Sequence, residues 1–586
     1  MAQPRFWTPA FTIERRDDGT ILMSQEGGAP RLADTVAARI GHWAQVAPER
    51  CALAQRGPDG DWQRLGYGAL WQAMRSVGAG LLARGLGQGR PALILSENAL
   101  DHAVLALAGQ YAGVPTAALS TAFSLISDSH DKLRDAVGLL RPGLVYAADG
   151  ARYGRALAAV GDDVLKVCSV NAPAGALSFA DLHEADTAPA DAAFAGLRGD
   201  MVAKYLFTSG STGSPKAVIN SHDMIARNQD IIADCFRFLA DHPPVVVDWA
   251  PWSHTASGNK VFHMILCNGG TYHIDDGKPT PALIGRTLAN LRDVAPTWYF
   301  NVPAGYEMLL EAFRADPDLA AQFFSKLDMM MYAGAGMAQH IWDGLRDAAR
   351  QATGRDVLLT TGLGATETGP FALMCTDQKD APGNVGQPAR GITLKLVPNE
   401  GKLEARLKSP SVTPGYLGDA ATSAKMLDEE GFYCLGDALR PADPEDLTKG
   451  FFFDGRIAEN FKLATGTWVA VGALRARLVD HFGGLIRDAV ILGEDRPALA
   501  ALLFPAEGVM DRPGIMDDLA RRHASFNAAS TGSSTRIAQM LVLRDPPSLD
   551  RGEVTDKGSI NARAVIRHRP EAVSCVQEAP EGIHRQ

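Results

Sequence analysis

The chain has 586 residues, of which 46% are hydrophobic and 21% are charged, with 57 basic and 67 acidic side chains. This composition is typical of an ordinary soluble globular protein, and the length allows about four domains. The net charge of −10 argues against a nucleic-acid partner, because surfaces that bind a phosphate backbone are normally basic. The seven cysteines are scattered without a C-x-x-C pair, which favours reduced thiols and a cytoplasmic location.

Neither a targeting segment nor a membrane span is predicted. The N-terminal residues lack an uninterrupted apolar core of signal-peptide length. The most apolar stretch follows His102 and is interrupted by Gly113 and Pro115. We therefore predict a buried helix from Asp101 to Tyr111, then a turn and a strand.

The first half of the chain alternates helical and strand patterns. Apolar residues recur at helical spacing over 67–83, and a glycine-rich break at 85–89 precedes a short apolar strand at 91–95. Further strands are predicted at 144–146 and 164–167. Strands that alternate with helices of this length imply βαβ units, a mostly parallel sheet and an α/β fold.

Two polar stretches divide the remaining chain. Residues 171–200 are rich in Ala, Pro, Asp and Gly and are predicted to form a surface connection. A polar turn at 440–450 precedes the apolar Phe451–Phe453. The segment from about Arg456 is long enough for a separate domain.

Residues Lys204–Ala217, with the sequence KYLFTSGSTGSPKA, combine a strand with a loop of small and hydroxyl residues. Glycines let a backbone wrap an anion, amides and hydroxyls donate to phosphate oxygens, and Lys216 adds a positive charge. A Walker loop is excluded, because Gly210 and Gly213 are only three apart and Ala217 follows the lysine. The sequence therefore predicts a phosphate-binding loop of another kind.

Segment Thr208–Lys216 resembles the phosphate-loop signature of the adenylate-forming superfamily, which includes acyl-CoA synthetases, peptide-synthetase adenylation domains and luciferases. Five further motifs follow in the order of that family, at 363–367, 415–416, 433–437, 455–456 and 551–558. Segments 248–254, 268–279 and 455–469 resemble feruloyl-CoA synthases and related aryl-acid ligases.

The resemblance implies a large N-terminal domain (1–455) with parallel-rich sheets flanked by helices, and a small mobile α+β C-terminal domain (456–586). It implies an ATP-dependent ligase that joins a small carboxylic acid to CoA through an acyl-adenylate, with a hydroxycinnamate-like aryl acid as the expected substrate. ATP, Mg²⁺ and CoA are the implied cofactors and co-substrates, and a monomer or homodimer is expected.

The family motifs also assign site residues in this sequence. The implied catalytic residues are Lys557, Glu367, Thr208 and His254, with Glu367 as the metal ligand. The implied nucleotide site comprises Thr208, Ser209, Gly210, Ser211, Thr212, Gly213, Lys216, Gly334, Ala335, Gly336, Gly364, Ala365, Thr366, Glu367, Asp437, Arg456 and Lys557. The implied acid pocket comprises Trp252, His254, Tyr299, Gly334, Gly336 and Gly364, and the implied CoA contacts are Lys462, Gly466 and Trp468.

Physical chemistry agrees with these assignments. Adenylation brings two anions together, so positioning and electrostatic stabilisation must dominate. Lys557 would bridge carboxylate and phosphate, and a charge pair at 4 Å is worth about 4 kcal/mol at an effective dielectric constant of about 20. Glu367 suits Mg²⁺, which prefers carboxylate and phosphate oxygens. The Asp437 carboxylate can accept hydrogen bonds from both ribose hydroxyls.

Alternatives stay open for several residues. Core packing competes with a pocket role for Trp252 and Tyr299, and His254 suits a structural role equally well. This sequence departs from the family pattern at three positions, Ala217, Leu363 and Ala458. Ala458 leaves the identity of the hinge residue open.

Alternatives to the leading function stay open as well. These are a medium-chain acyl-CoA synthetase and a noncatalytic relative that binds nucleotide or acyl groups. The short segment after Lys557 is expected to leave no room for a carrier or reductase domain.

Overall fold

The computed structural model describes residues 4–29, 31–209, 215–377, 379–399, 401–555 and 558–586. Five predicted site residues lie outside these ranges, namely Gly210, Ser211, Thr212, Gly213 and Lys557. Within the described ranges, no helix is both long enough and apolar enough to cross a bilayer.

In chain order, the strands are β1 (Phe11–Arg15), β2 (Ile21–Gln25), β3 (Cys51–Arg56), β4 (Trp62–Gly66), β5 (Ala92–Leu95), β6 (Thr116–Ala118), β7 (Leu144–Asp149), β8 (Leu165–Val170), β9 (Leu177–Ser178), β10 (Val202–Ser209), β11 (Pro215–Ser221), β12 (Val245–Asp248), β13 (Thr271–Ile274), β14 (Trp298–Asn301), β15 (Met329–Tyr332), β16 (Leu358–Thr360), β17 (Gly362–Leu363), β18 (Leu373–Met374), β19 (Asn384–Pro388), β20 (Thr393–Asn399), β21 (Lys402–Lys408), β22 (Tyr433–Pro441), β23 (Phe451–Arg456), β24 (Phe461–Lys462), β25 (Trp468–Val469), β26 (Ile486–Leu492), β27 (Leu499–Pro505), β28 (Ile537–Val542) and β29 (Gly582–Arg585).

The α-helices are α1 (Val36–Val46), α2 (Tyr67–Ala83), α3 (Leu100–Ala112), α4 (Ala122–Leu125), α5 (Asp131–Leu140), α6 (Gly154–Val160), α7 (Ala188–Ala195), α8 (His222–Cys235), α9 (Phe262–Cys267), α10 (Ile284–Asp293), α11 (Pro303–Ala315), α12 (Pro317–Phe324), α13 (Gln339–Thr353), α14 (Ala420–Lys425), α15 (Val471–Phe482), α16 (Ile515–Ala528), α17 (Ala562–His568) and α18 (Pro570–Glu578). A π-helix spans Ala256–Val261, and 3₁₀-helices span Phe179–Leu182, Arg237–Ala240, Thr366–Thr368, Leu447–Lys449, Ile457–Glu459 and Val509–Asp511.

Three sheets rich in parallel strands form the first part of the molecule. The largest has the order β11-β10-β6-β5-β7-β8-β9, and all its neighbours run parallel except β10 and β11. A second has the order β12-β13-β3-β4, and a third consists of the parallel strands β14, β15 and β16. The predicted α/β class is confirmed.

A nine-stranded antiparallel sheet completes the first part, in the order β1-β2-β20-β21-β22-β23-β19-β18-β17. Strand β23, which ends at Arg456, is its last strand in chain order. The strands from Phe461 onward belong to two other sheets, a hairpin of β24 and β25 and the four-stranded order β26-β27-β28-β29.

The C-terminal sheet buries both of its faces. Ala489, Ile491 and Leu503 belong to one hydrophobic cluster, whereas Val490 and Leu502 belong to another on the opposite face. This alternation is expected, because successive side chains of a strand point to opposite sides. Helices α15–α18 therefore cover a sheet with two hydrophobic surfaces, and the C-terminal region has cores of its own.

Local sequence signals explain several of these boundaries. Helix α2 has the predicted bounds, and α3 ends at Gly113, whose φ of 68° lets its N–H bond the Gly109 carbonyl as a left-handed cap. The strand predicted after this turn is β6. The Ser221 side chain accepts a bond from the Met224 N–H, so β11 passes directly into α8.

The predicted surface connection at 171–200 is mostly exposed, but it also has regular structure of its own. It contains β9, a 3₁₀-helix and α7, in which Pro189 occupies the first turn. The Phe194 ring stacks on Tyr111 with centroids 4.5 Å apart, and Asp191 pairs with Arg75. These contacts come from residues distant in the chain, so the local composition did not reveal them.

Candidate active site

The predicted phosphate loop joins β10 to β11. These strands pair antiparallel, with Thr208 opposite Lys216 and Ser209 opposite Pro215. Because β10 also pairs in parallel with β6, the hairpin extends from the carboxyl ends of parallel strands, the edge at which α/β sheets usually bind ligands. Thr208 and Lys216 are thus neighbours at the base of the loop.

The segment around Tyr416 lies directly against this hairpin. The Leu417 N–H bonds the Ala217 carbonyl at 2.9 Å, and the Ile219 N–H bonds the Gly415 carbonyl at 3.0 Å. The Lys216 Nζ lies 5.4 Å from the centroid of the Tyr416 ring. The positive charge of the loop therefore rests over an aromatic face.

Tyr416 also orients Glu367. Its hydroxyl donates to the Glu367 Oε1 at 2.9 Å, and the Thr413 N–H bonds the Glu367 carbonyl at 2.8 Å. Burial, reinforced by the Glu367 charge, raises the pKa of Tyr416. The phenol therefore stays protonated and acts as a donor, so one tyrosine connects the loop lysine with the predicted metal ligand.

The turn that carries Glu367 has little freedom. The Thr368 hydroxyl accepts a bond from the Ala365 N–H at 2.8 Å, which caps the 3₁₀-helix Thr366–Thr368. A Cβ at Gly364 would lie 1.4 Å from the Pro370 carbonyl oxygen. Only glycine fits this close approach.

Asp437 and Arg456 face each other across β22 and β23, beside a register shift between Asp437 and Leu439. Arg456 Nε lies 2.9 Å from Asp437 Oδ1, but this ion pair lacks hydrogen-bond geometry, and Oδ1 has no hydrogen-bond partner in the described chain. Burial raises the pKa of Asp437 to about 6, and the Arg456 charge opposes this. The site thus holds a buried carboxylate with free acceptor capacity.

Tyr433 connects the two groups of residues. Burial raises the pKa of Tyr433, and the charges of Glu367 and Arg456 both act on it. Tyr433 therefore lies near enough to Glu367 and to Arg456 for both charges to act on it.

The segment Gly334–Gly336 follows β15, at the carboxyl edge of the third parallel sheet. Its three residues are exposed, and Gly334 has a φ of +89°. A Cβ placed on Gly336 would meet no atom within 4 Å. Open space therefore lies beside this segment.

His254 precedes the π-helix and is held by its backbone. Its N–H bonds the Pro251 carbonyl at 3.0 Å, and its carbonyl accepts from the Gly258 N–H at 2.7 Å. A Cβ at Gly258 would lie 2.0 Å from the Trp252 carbonyl oxygen. Such π-helical turns occur frequently at functional sites.

Two predicted acid-pocket residues lie in the hydrophobic core. Trp252 is 3% exposed, and its indole N–H donates to the Tyr272 hydroxyl at 2.9 Å. Tyr299 is fully buried, with its ring 5.0 Å from that of Phe323. Core packing therefore accounts for the position of both rings, which is the alternative that competes with a pocket role for these two residues.

Sequence reasoning also missed two buried lysines, one bonded to the π-helix and one within it. Lys204 donates to the Gly258 carbonyl at 3.2 Å, and burial lowers its pKa to about 8. Lys260 lies 4.8 Å from the Phe371 ring, and burial lowers its pKa to about 7. No local pattern distinguishes these lysines from exposed ones. Tyr416 was detectable only as part of its motif.

The three predicted CoA residues lie together in the C-terminal hairpin. Lys462 pairs with Trp468 across β24 and β25, and its Nζ lies 4.8 Å from the Trp468 ring. Gly466 forms the turn between them with a φ of +79°. Nearby, Arg563 donates to the Ala458 carbonyl at 2.9 Å.

Comparison with protein families matches residues 40–417 to the AMP-binding enzyme family. The chain therefore belongs to the AMP-binding enzymes. Residues 461–575 match the C-terminal domain of AMP-binding enzymes. These matches confirm the resemblance to the adenylate-forming superfamily.

The similar proteins whose names give an activity share only about a quarter of their residues with this chain. The chain is 25% identical over 443 residues to 4-coumarate–CoA ligase 2 of Oryza sativa subsp. japonica, covering 71% of this chain and 74% of that protein. It is also 25% identical to 4-hydroxybenzoate–CoA/benzoate–CoA ligase of Rhodopseudomonas palustris, covering 78% and 82%. A match to carboxylic acid reductase of Mycobacterium marinum is 26% identical and covers 61% of this chain but only 31% of that protein.

Solved structures share the fold. The ATP-bound MatB of Rhodopseudomonas palustris superposes with a TM-score of 0.68 at 20% identity, covering 92% of this chain and 99% of that chain. The architecture of both parts is thus that of known AMP-binding enzymes.

Proposed function

We propose that this AMP-binding enzyme is an ATP-dependent carboxylic acid–CoA ligase that acts on hydroxycinnamate-like or related aryl acids. This proposal rests chiefly on the arrangement of Lys216, Tyr416 and Glu367 at the phosphate-loop hairpin. Similarity to ligases of 4-coumarate and 4-hydroxybenzoate supports the aryl acid, as do segments 248–254 and 455–469.

The first half-reaction would form an acyl-adenylate. A carboxylate oxygen attacks the α-phosphorus of ATP, and the bond to pyrophosphate breaks with its electron pair. Thr208 and Lys216 would hold the phosphates, and Lys557 would neutralise charge between the carboxylate and the α-phosphate. Asp437 would accept hydrogen bonds from the ribose hydroxyls, for which it is suited because its Oδ1 accepts no hydrogen bond within the described chain.

Magnesium fits the chemistry of Glu367. Tyr416 orients this carboxylate through a hydrogen bond to Oε1, and Glu367 would be the side chain that holds the ion. In the described ranges no three His, Cys, Asp or Glu residues converge, which agrees with the preference of Mg²⁺ for a few protein oxygens plus substrate phosphates and waters. When bound, the ion would offset phosphate charge.

The second half-reaction would transfer the acyl group to CoA. The thiolate attacks the carbonyl carbon of the adenylate, and AMP leaves with the electrons of the broken C–O bond. The hairpin residues Lys462, Gly466 and Trp468 would contact CoA after the C-terminal domain rotates. His254 and the open space at Gly334–Gly336 would border the acid.

The decisive experiment incubates the protein with ATP, Mg²⁺, CoA and a panel of cinnamates, benzoates and medium-chain acids, and measures AMP and acyl-CoA. Thioesters of hydroxycinnamates are expected. Preference for medium-chain acids would favour the alternative ligase, and nucleotide binding without turnover would favour a noncatalytic relative. Lys557→Ala should abolish adenylate formation yet spare transfer from a supplied acyl-adenylate.

A further inference from the structure

The loop that precedes Lys557 in the sequence is attached to the large domain by one carboxylate. Asp550 accepts a hydrogen bond from the Ser127 hydroxyl at 2.5 Å and from the Asp128 N–H at 3.2 Å, with a longer contact of 3.5 Å to the Ser129 N–H. Ser127 is buried. The acceptor comes from the C-terminal domain and all three donors from the turn that leads into α5.

A second set of contacts supports this attachment. Lys132 donates to the Leu549 carbonyl at 2.7 Å, while its Nζ lies 5.4 Å from the Phe123 ring. The Leu549 side chain packs against a cluster of the large domain that contains Phe123, and also against a cluster of the C-terminal domain. Polar and apolar contacts therefore hold the same two residues, 549 and 550.

The hydrophobic cluster that Leu549 contacts also includes residues of the phosphate-loop hairpin. Ala217 belongs to the cluster that Leu549 contacts, and Phe207 packs against it. Phe207 and Ala217 are the neighbours in sequence of Thr208 and Lys216. A shift of Leu549 would thus act on the same packing that supports the base of the loop.

The loop itself is braced within its own domain. Glu553 is buried, pairs with Arg569 and accepts from the Ser548 N–H at 2.9 Å. Val554 and Ile560 form a β-bridge, and the Thr555 N–H bonds the Ser559 carbonyl at 2.8 Å. These bonds brace the described residues on both sides of Lys557 in the sequence, so Asp550 belongs to a loop that is held within its own domain.

We propose that Asp550 is a positioning residue for adenylation, which anchors the Lys557 loop on the Ser127–Ser129 turn of the large domain. This inference rests on the proposed function, because the step that it serves is acyl-adenylate formation. In the proposed mechanism, thioester formation does not use Lys557 and therefore would not need the anchor.

The test measures the two half-reactions separately in the full-length protein. Asp550→Ala should lower the rate of acid-dependent ATP–pyrophosphate exchange about tenfold or more, since charge-assisted hydrogen bonds are the strong ones. Transfer from a supplied acyl-adenylate to CoA should change less than about twofold. Asp550→Asn keeps a side-chain acceptor and should retain most of the exchange rate.

Asp545→Ala is the matched control. Asp545 is an exposed acid of the same loop, and its carbonyl, not its side chain, accepts from Arg569. Ser127→Ala should reproduce part of the Asp550→Ala effect from the other side of the contact. Equal losses in both half-reactions, or no loss in either, would overturn the inference.

Hydrogen exchange separates this inference from the proposed function. Asp550→Ala should speed amide exchange in 548–561 relative to wild type and Asp545→Ala. One outcome is that the wild type forms no adenylate while Asp550→Ala still exchanges its amides faster than wild type. That result would refute the proposed function but retain the anchor. Unchanged exchange would refute the anchor.

Discussion

At the scale of the single residue, the buried carboxylate of Asp437 lowers the stability of the ligand-free protein. Its side chain is only 10% exposed, and its charge is balanced by an arginine that is 58% exposed. A buried carboxylate that lacks hydrogen bonds is costly. If Asp437 binds the ribose as proposed, a ligand would recover this cost, and the cost itself should be measurable in the ligand-free protein.

We expect Asp437→Asn to raise the melting temperature of the ligand-free protein at pH 8 and to weaken ATP binding. The folded state holds the Asp437 proton more tightly than the unfolded state, because burial raises the pKa from 3.8 to about 6. The stability that this proton provides is therefore present at low pH and is lost as the pH rises through about 6. The advantage of the variant should shrink between pH 8 and pH 5 in thermal melts.

Asp443→Asn gives a control of opposite sign. Lys449 donates to this half-buried carboxyl at 2.6 Å and lowers its pKa, so the small contribution of the pair to stability is present at neutral pH and is lost on acidification. A melting temperature of Asp437→Asn that stays below wild type at pH 8 would contradict the burial argument.

At the scale of the element, glycine-bearing turns at the carboxyl ends of strands shape the site. Gly364 accommodates a neighbouring carbonyl of its own chain, whereas Gly336 faces open space. The same residue type thus serves folding at one turn and leaves room for a ligand at the other. Substitution by alanine can distinguish these purposes.

We expect Gly364→Ala to destabilise the protein and abolish turnover, since the added Cβ would collide with the backbone at Pro370. Gly336→Ala should leave the melting temperature within about 1 °C, because the added methyl meets no protein atom, yet raise the KM for the acid or ATP severalfold. Thermal melts and steady-state kinetics on both variants check this. Unchanged kinetics for Gly336→Ala would exclude the segment from the ligand pocket.

Sequence alone predicted the elements with strong periodicity and the order of the motifs. Helix α2 and the Gly113 cap follow from local rules, because their determinants lie within a few residues. The Tyr416–Glu367 bond joins residues 49 apart, so only folding reveals it. The burial of Trp252 and Tyr299 could not be predicted, because an aromatic ring suits a core and a pocket equally well, and local sequence carries no measure of burial.

At the scale of the whole molecule, the chain has separate cores on either side of Arg456. Clusters in the large domain surround the parallel sheets, and two others enclose the C-terminal sheet. Leu549 packs against a cluster of each part. Because the two parts of the chain share few core residues, each part can unfold in a transition of its own.

We expect differential scanning calorimetry to resolve two transitions. ATP at about 100 times its Kd should stabilise the large domain by about 2.7 kcal/mol through mass action and shift the C-terminal transition less. Asp437→Asn should reduce the shift caused by ATP. A single transition that moves as one unit would contradict the independence of the cores.

The cysteines offer a spectroscopic consequence. Six of the seven thiols are buried or half-buried, and Cys575 on α18 is exposed. A maleimide fluorophore should therefore attach chiefly to the small domain of the native protein without engineering. Its anisotropy could then be followed in stopped-flow mixing with ATP, acid and CoA, so the chain carries its own attachment point for testing whether the small domain rotates during the reaction.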